Sequence, residues 1–205
     1  TVAAAGTATL VTSNEIAASN EPAADPGGLT VHEWGTFTTV AGPDGRAVDW
    51  LPLGGPTDLP CFVEHFRNRA NVKVSPTQAA PPDYAAARAS LGAKVRMETP
   101  VLYFYSSRPL TADVSVRFPR GLMTEWYPRA TVTQTVPDSL PFAYPWQESV
   151  IAWQHVAILP NADEHFPVGA GDSHYYAARN TDAAPLAVAG QSEKFLFYRG
   201  VASFD

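Results

Sequence analysis

The sequence predicts a mostly-β domain, an antiparallel β-sandwich with long Pro- and Gly-rich loops. A partly open β-barrel is the alternative. Three observations lead there. Residues 112–118 alternate without a break: Val114, Val116 and Phe118 fall on one face, Asp113, Ser115 and Arg117 on the other. That period of two marks a half-buried strand. Three further runs, VLYFY (101–105), VIAWQHVAIL (150–159) and EKFLFYR (193–199), are aromatic or β-branched and of strand length. Finally, 19 prolines and 14 glycines punctuate 205 residues, which leaves little room for long helices.

Taken in order, residues 1–28 are rich in Ala, Thr, Ser and Asn and close on a Pro/Gly segment. They read as an extended arm with too few large apolar side chains to fold alone. Val2, Leu10, Val11 and Ile16 are spaced along it as anchors, so we expect the arm to be ordered by a partner subunit or a neighbouring copy. Residues 29–205 form a single β-rich domain, since a chain of this length supports one sizeable core. LTVHEWGTFTTV (29–40) is its first strand, with Gly35 at a bulge or a close backbone approach. Residues 59–66 are compact and apolar; a short helix or an irregular strand fits them equally. Asp83 can cap a helical turn or two in the Ala-rich stretch after it. The run 101–105 carries large side chains on both faces and should be more deeply covered than 112–118. With 112–118 it suggests a hairpin about the turn at 106–109. Residues 121–127 add a strand before Pro128, and 150–159 lies centrally, being apolar on both faces apart from Gln154 and His155.

Composition narrows the function classes. A formal net charge of −6 without a basic stripe lacks the electrostatic footprint of a nucleic-acid binder. No apolar run reaches the 18 residues that a membrane-spanning helix needs. A single cysteine, Cys61, excludes an internal disulfide. It lies in an apolar run and reads as a buried, inert thiol. The chain opens on Thr1 rather than Met, which we read as a processed or trimmed start compatible with export.

The motifs HEWGTF (32–37), METPVLYFYS (97–106), GLMTEWYP (121–128), HYYAAR (174–179) and EKFLFYRG (193–200) resemble a family of uncharacterised exported bacterial proteins. The resemblance spans most of residues 30–200. It implies a periplasmic or extracellular location and brings no activity with it. The members it resembles look longer, so the chain reads as the amino-terminal part of a larger polypeptide.

Three functions follow as expectations. The first is a non-catalytic interaction or scaffold module, an accessory subunit of a bacterial envelope complex whose partners are other protein subunits. Its interface candidates are Trp126 and Tyr127 beside Pro128, and Phe142, Tyr144 and Trp146 in the loop PFAYPW. Proline-stiffened loops present aromatics at low entropic cost. Leu10, Val11 and Ile16 of the arm join them. The second is a metal-dependent hydrolase or oxidase with a histidine/carboxylate site drawn from His32, His65, His165 and His174. Imidazole and carboxylate suit zinc or copper. The spacing shows no metal motif, however, and we expect no cofactor. The third is a carbohydrate-binding module in which some of Trp34, Trp50, Trp126, Trp146, Trp153, Tyr103, Tyr105, Tyr127, Tyr175 and Tyr176 stack on sugar rings, although most large aromatics of a sandwich fill its core. By alternation His155 shares a face with Ile151, Trp153, Ala157 and Leu159. A buried neutral imidazole fits that spacing better than an inward ligand.

Overall fold

A computed structural model describes residues 7–11, 28–54, 58–66, 84–98, 100–135 and 146–203. It is a sandwich of two antiparallel sheets, neither closed into a barrel. The strands in chain order are β1 (Thr7–Val11), β2 (Thr30–Trp34), β3 (Phe37–Thr39), β4 (Glu64–His65), β5 (Val95–Met97), β6 (Val101–Tyr105), β7 (Leu110–Phe118), β8 (Gly121–Tyr127), β9 (Thr131–Thr133), β10 (Ser149–Ile158), β11 (Leu186–Val188), β12 (Gln191–Glu193) and β13 (Leu196–Ala202). One short helix, α1 (Tyr84–Ala89), and one 3-10 helix, His174–Arg179, complete the described elements.

The first sheet runs β1-β7-β10-β11-β12, with β9 also on β10. β10 is central, as its two apolar faces predict. β7 lies along one edge of it; β9 and β11 share the other, at Val150–Ala152 and Ala157–Ile158 respectively. In the second sheet β13 is central. β8 pairs along one side, and β5 and β6 follow one another along the other. β3 and β2 pair in turn with β5 and β6. This sheet is therefore built from long strands that are broken at one common level.

Between the sheets lies the main core. Val114, Val116, Phe118, Ile151, Trp153 and Ile158 come from the first sheet; Met97, Leu102, Phe104, Leu122, Tyr198 and Val201 come from the second. The face assignment of 112–118 holds, with Val116 only 1% exposed and Arg117 on the surface.

Several expectations are corrected. β6 and β7 do not form a hairpin: they belong to different sheets, and 106–109 arches across the sandwich. Residues 29–40 make two strands, because the chain breaks at Gly35-Thr36. A Cβ at Gly35 would lie 3.1 Å from the Pro100 Cα, so glycine permits the close approach there. His155 is exposed, not buried. Its φ of 55° places it in a β-bulge between Trp153 and Val156, and its backbone N–H donates to Asp113 Oδ1 at 2.6 Å. The bulge shifts the alternation by one residue, so Trp153 and Val156 both point inward while Gln154 and His155 face solvent. Cys61 is exposed as well.

The arm is corrected too. Thr7–Val11 pairs with Asp113–Arg117 of the same chain, Leu10 opposite Val114 and Val11 opposite Asp113. Its Thr- and Val-containing sequence completes the outer edge of β7, so this part of the arm belongs to the domain. Deleting residues 1–27 is then expected to lower the melting temperature of the isolated monomer. A loss of 1 kcal/mol shifts melting by roughly 2–4 °C in a domain of this size. Unchanged melting of the truncated monomer in a thermal scan contradicts that pairing.

Candidate functional site

A second hydrophobic cluster covers the other face of the β13 sheet. Val63, Val101, Tyr127, Tyr175, Phe195 and Phe197 form it, with Leu59, Phe62, Tyr103, Tyr176 and Ala178 packed against them. Alternation explains the division. On β13, Leu196 and Tyr198 turn into the sandwich while Phe197 and Arg199 turn outward; on β6, Leu102 and Phe104 turn in while Val101 and Tyr103 turn out. Runs that are apolar on both faces need a cover on both. Here residues 58–63 and the 3-10 helix provide the outer one.

A buried ionic network fastens that helix. Glu193 is fully buried and accepts from Arg179 Nη2 at 2.6 Å and from the Tyr175 hydroxyl at 3.0 Å. Arg179 also donates to the Pro167 carbonyl at 2.8 Å, and its guanidinium lies 5.1–5.9 Å from the rings of Phe62, Phe166, Tyr175 and Tyr176. Burial, and then the Glu193 charge, hold the Tyr175 hydroxyl well above the ordinary tyrosine range. The same two causes push Tyr127 up to about 12, against the opposing pull of Arg179. For Arg179 itself burial opposes the charge, but the bonds to Glu193 and its carboxylate outweigh that and raise the guanidinium further. Ser173 Oγ accepts from the Tyr175 N–H and donates to the Asp58 carbonyl at 2.5 Å, which ties the helix start to residues 58–63.

Beside this network a cavity of about 350 Å3 opens at the level where the strands break. That volume is in the range of small-ligand sites. Trp34, Gly35 and Thr36 line one part of it, Asp58 and Leu59 another; His174, Tyr175 and Ala178 of the 3-10 helix, together with Arg199, contribute further. Trp34 sits opposite Val101 at the end of β2 and is 68% exposed, whereas Trp126, Trp146 and Trp153 are buried. Arg199 is 3% exposed. Its Nε donates to the Glu98 carbonyl at 2.7 Å, and its Nη2 lies 3.5 Å from Asp58 Oδ1, long for a hydrogen bond. Its Nη1 is buried without a hydrogen-bond partner among the described residues. Alternation along β13 turns the guanidinium to this face, and the register with β8 slips by one residue, on the β8 side, just after Arg199.

No family model matches the chain, and neither does any curated protein or solved structure.

The sequence-level candidates fall as follows. His32 is exposed on β2, its ring 5.2 Å from that of Tyr105. His65 is half-buried on β4 opposite Glu125, His165 is exposed in the loop after β10, and His174 starts the 3-10 helix. Among the described residues no three His, Cys, Asp or Glu side chains gather into a group able to hold a metal ion, so the geometry does not assemble the expected metal set. His174 alone of the four lines the cavity.

The interface candidates Trp126, Tyr127 and Trp146 are corrected: all three are buried. Tyr127 belongs to the outer cluster, Trp126 to the main core, and the Trp146 Nε1–H donates to the Gly92 carbonyl at 3.0 Å. Pro128 ends the strand, but the layer over the sheet continues past it. Phe142, Tyr144 and Ile16 lie outside the described residues, and Leu10 and Val11 stand in β1. Among the described residues no helix is long and apolar enough to cross a membrane.

Sequence reasoning missed Arg199. Its signal was an arginine closing an apolar run, FLFYRG, where one side chain in two had to turn toward a covered face.

A wider groove of about 860 Å3 lies near Tyr105, Asp163, Glu164, Asp182 and Lys194. Its polar groups are better satisfied. Lys194 Nζ donates to the Ala183 carbonyl at 2.9 Å, and Glu164 accepts from Ser192 at 2.9 Å. The smaller cavity, with its under-bonded arginine, is the stronger candidate.

Proposed function

We propose that the chain is a non-catalytic recognition module of an exported protein and that it takes a small ligand in the cavity around Trp34 and Arg199. One observation carries this: an exposed indole and a buried, under-bonded guanidinium line the same cavity. An aromatic face in water gains by stacking on a ring, and a few placed polar groups around a concave apolar site fix orientation. The reading favours binding over metal-dependent hydrolysis, because the histidines stand apart. The resemblance of its motifs to exported proteins supports an extracytoplasmic setting. Within an envelope assembly, such a module would serve as the recognising subunit.

Trp34 is mostly solvated, so Trp34→Ala leaves the core untouched. In a thermal-shift screen of neutral sugars, acidic sugars and aromatic acids, at least one compound is expected to raise the melting temperature of the wild type and not that of the variant. If nothing shifts the wild type, or every shift survives in Trp34→Ala, the cavity is not the binding site.

A further inference from the structure

We infer that the ligand carries a carboxylate, which Arg199 receives once the carboxylate of Asp58 gives way. This rests on the reading of the cavity as the ligand site. Arg199 is in an unusual state for a buried arginine. Five N–H donors are available in a planar fork. One bond is short, Nε to the Glu98 carbonyl at 2.7 Å. That bond is made to backbone, so it fixes the plane of the guanidinium without neutralising its charge. Among the described residues its one ionic contact is Nη2 to Asp58 at 3.5 Å, and Nη1 is buried with no partner there. A buried donor left unbonded is costly, and more so on a charged group.

Asp58 shows what the site accepts and why it is not yet filled. Its side chain is half exposed and stands at the cavity, too far from the fork for a good bond. It balances the charge loosely, as a partly solvated pair does. A ligand carboxylate entering from solvent can replace it at shorter range and take the two-pronged geometry that arginine offers. Trp34, exposed on the same cavity, then receives the flat body of the ligand. A hexuronate and an aryl acetate both meet this description. They share the carboxylate and differ in the ring.

The test is titration calorimetry with glucuronate and phenylacetate, each against its neutral counterpart, glucose and phenylacetamide. We expect at least one acid to bind about tenfold or more tightly than its neutral counterpart, the difference a charge-assisted bond supplies. Which acid binds identifies the ring. Arg199→Met should abolish that preference. Because Arg199 is buried and that variant could fail to fold, Asp58→Asn is the decisive companion, as its site is exposed. Removing the resident carboxylate should tighten acid binding by about two- to fivefold, the worth of a partly exposed pair. Weaker acid binding in Asp58→Asn overturns the inference, because Asp58 would then be a ligand contact rather than a competitor. Equal binding of acids and neutral compounds overturns it too, while leaving the recognition reading in place. Absence of any binding at the cavity overturns both.

Discussion

Glu193→Ala is expected to be among the most destabilising single changes in the domain, by about 3 kcal/mol, the lower end for breaking a buried pair. The carboxylate has no exposure, and the substitution strands the Arg179 and Tyr175 side chains as well as the Lys194 backbone N–H. Arg179 loses its counter-charge, and the Tyr175 hydroxyl loses its acceptor. The lower end applies because the Arg179 side chain keeps 15% of its exposure and can turn partly to water. The 3-10 helix should loosen first, and it bears His174, Tyr175 and Ala178 of the cavity wall. Chemical denaturation measures the loss, and native-state hydrogen exchange at 174–179 locates it. A variant as stable as the wild type, with that helix still protected, shows that the network is not what fastens it.

The same network gives the alkaline behaviour a sign. Tyr175 and Tyr127 have folded-state pKa values raised above the ordinary 10.0, chiefly by burial and then by Glu193. Their contribution is fully present below pH 10. It falls as the pH rises past 10, where the unfolded chain begins to release those protons and the folded chain does not.

Val116→Asp is expected to prevent folding, at a cost of several kcal/mol. Val116 is 1% exposed, lies between β1 and β10 in register, and turns into the sandwich. An aspartate there places a carboxylate in the main core, whose described residues are all hydrophobic and include no cation. The neighbouring Ser115 turns the other way, so Ser115→Asp serves as the matched control and should express and melt much as the wild type does. Soluble Val116→Asp with wild-type melting contradicts the assignment of faces in β7.

The local patterns were legible in the sequence, and the long-range partners were not. The alternation over 112–118 specified which side chains of β7 are buried, because a period of two leaves no other choice. The run 101–105, with large side chains on both faces, announced a deeply covered strand. Nothing local distinguishes a four-residue hairpin turn from an arch that crosses between sheets, so 106–109 was misread. The bulge at His155 is likewise set by pairing with β7 rather than by the residue itself. Trp126 and Tyr127 looked like a surface corner because Pro128 follows them; the layer that buries Tyr127 comes from residues 58–63 and 174–179, distant in the chain. Arg199 and Trp34 meet at one cavity only because four strand segments break at the same level, a property of the sheet and of no single stretch.

The claim that this cavity is a carboxylate-recognition site is tested most directly by amide chemical-shift mapping of the wild-type domain during titration with glucuronate and with phenylacetate. The account predicts saturable shifts for at least one of the two acids. They should be concentrated at Trp34, Gly35, Thr36, Asp58, His174 and Arg199, with the Trp34 indole N–H among the largest, and should be nearly absent with glucose and phenylacetamide. Shifts that cluster elsewhere, or a spectrum unmoved by either acid, would contradict it.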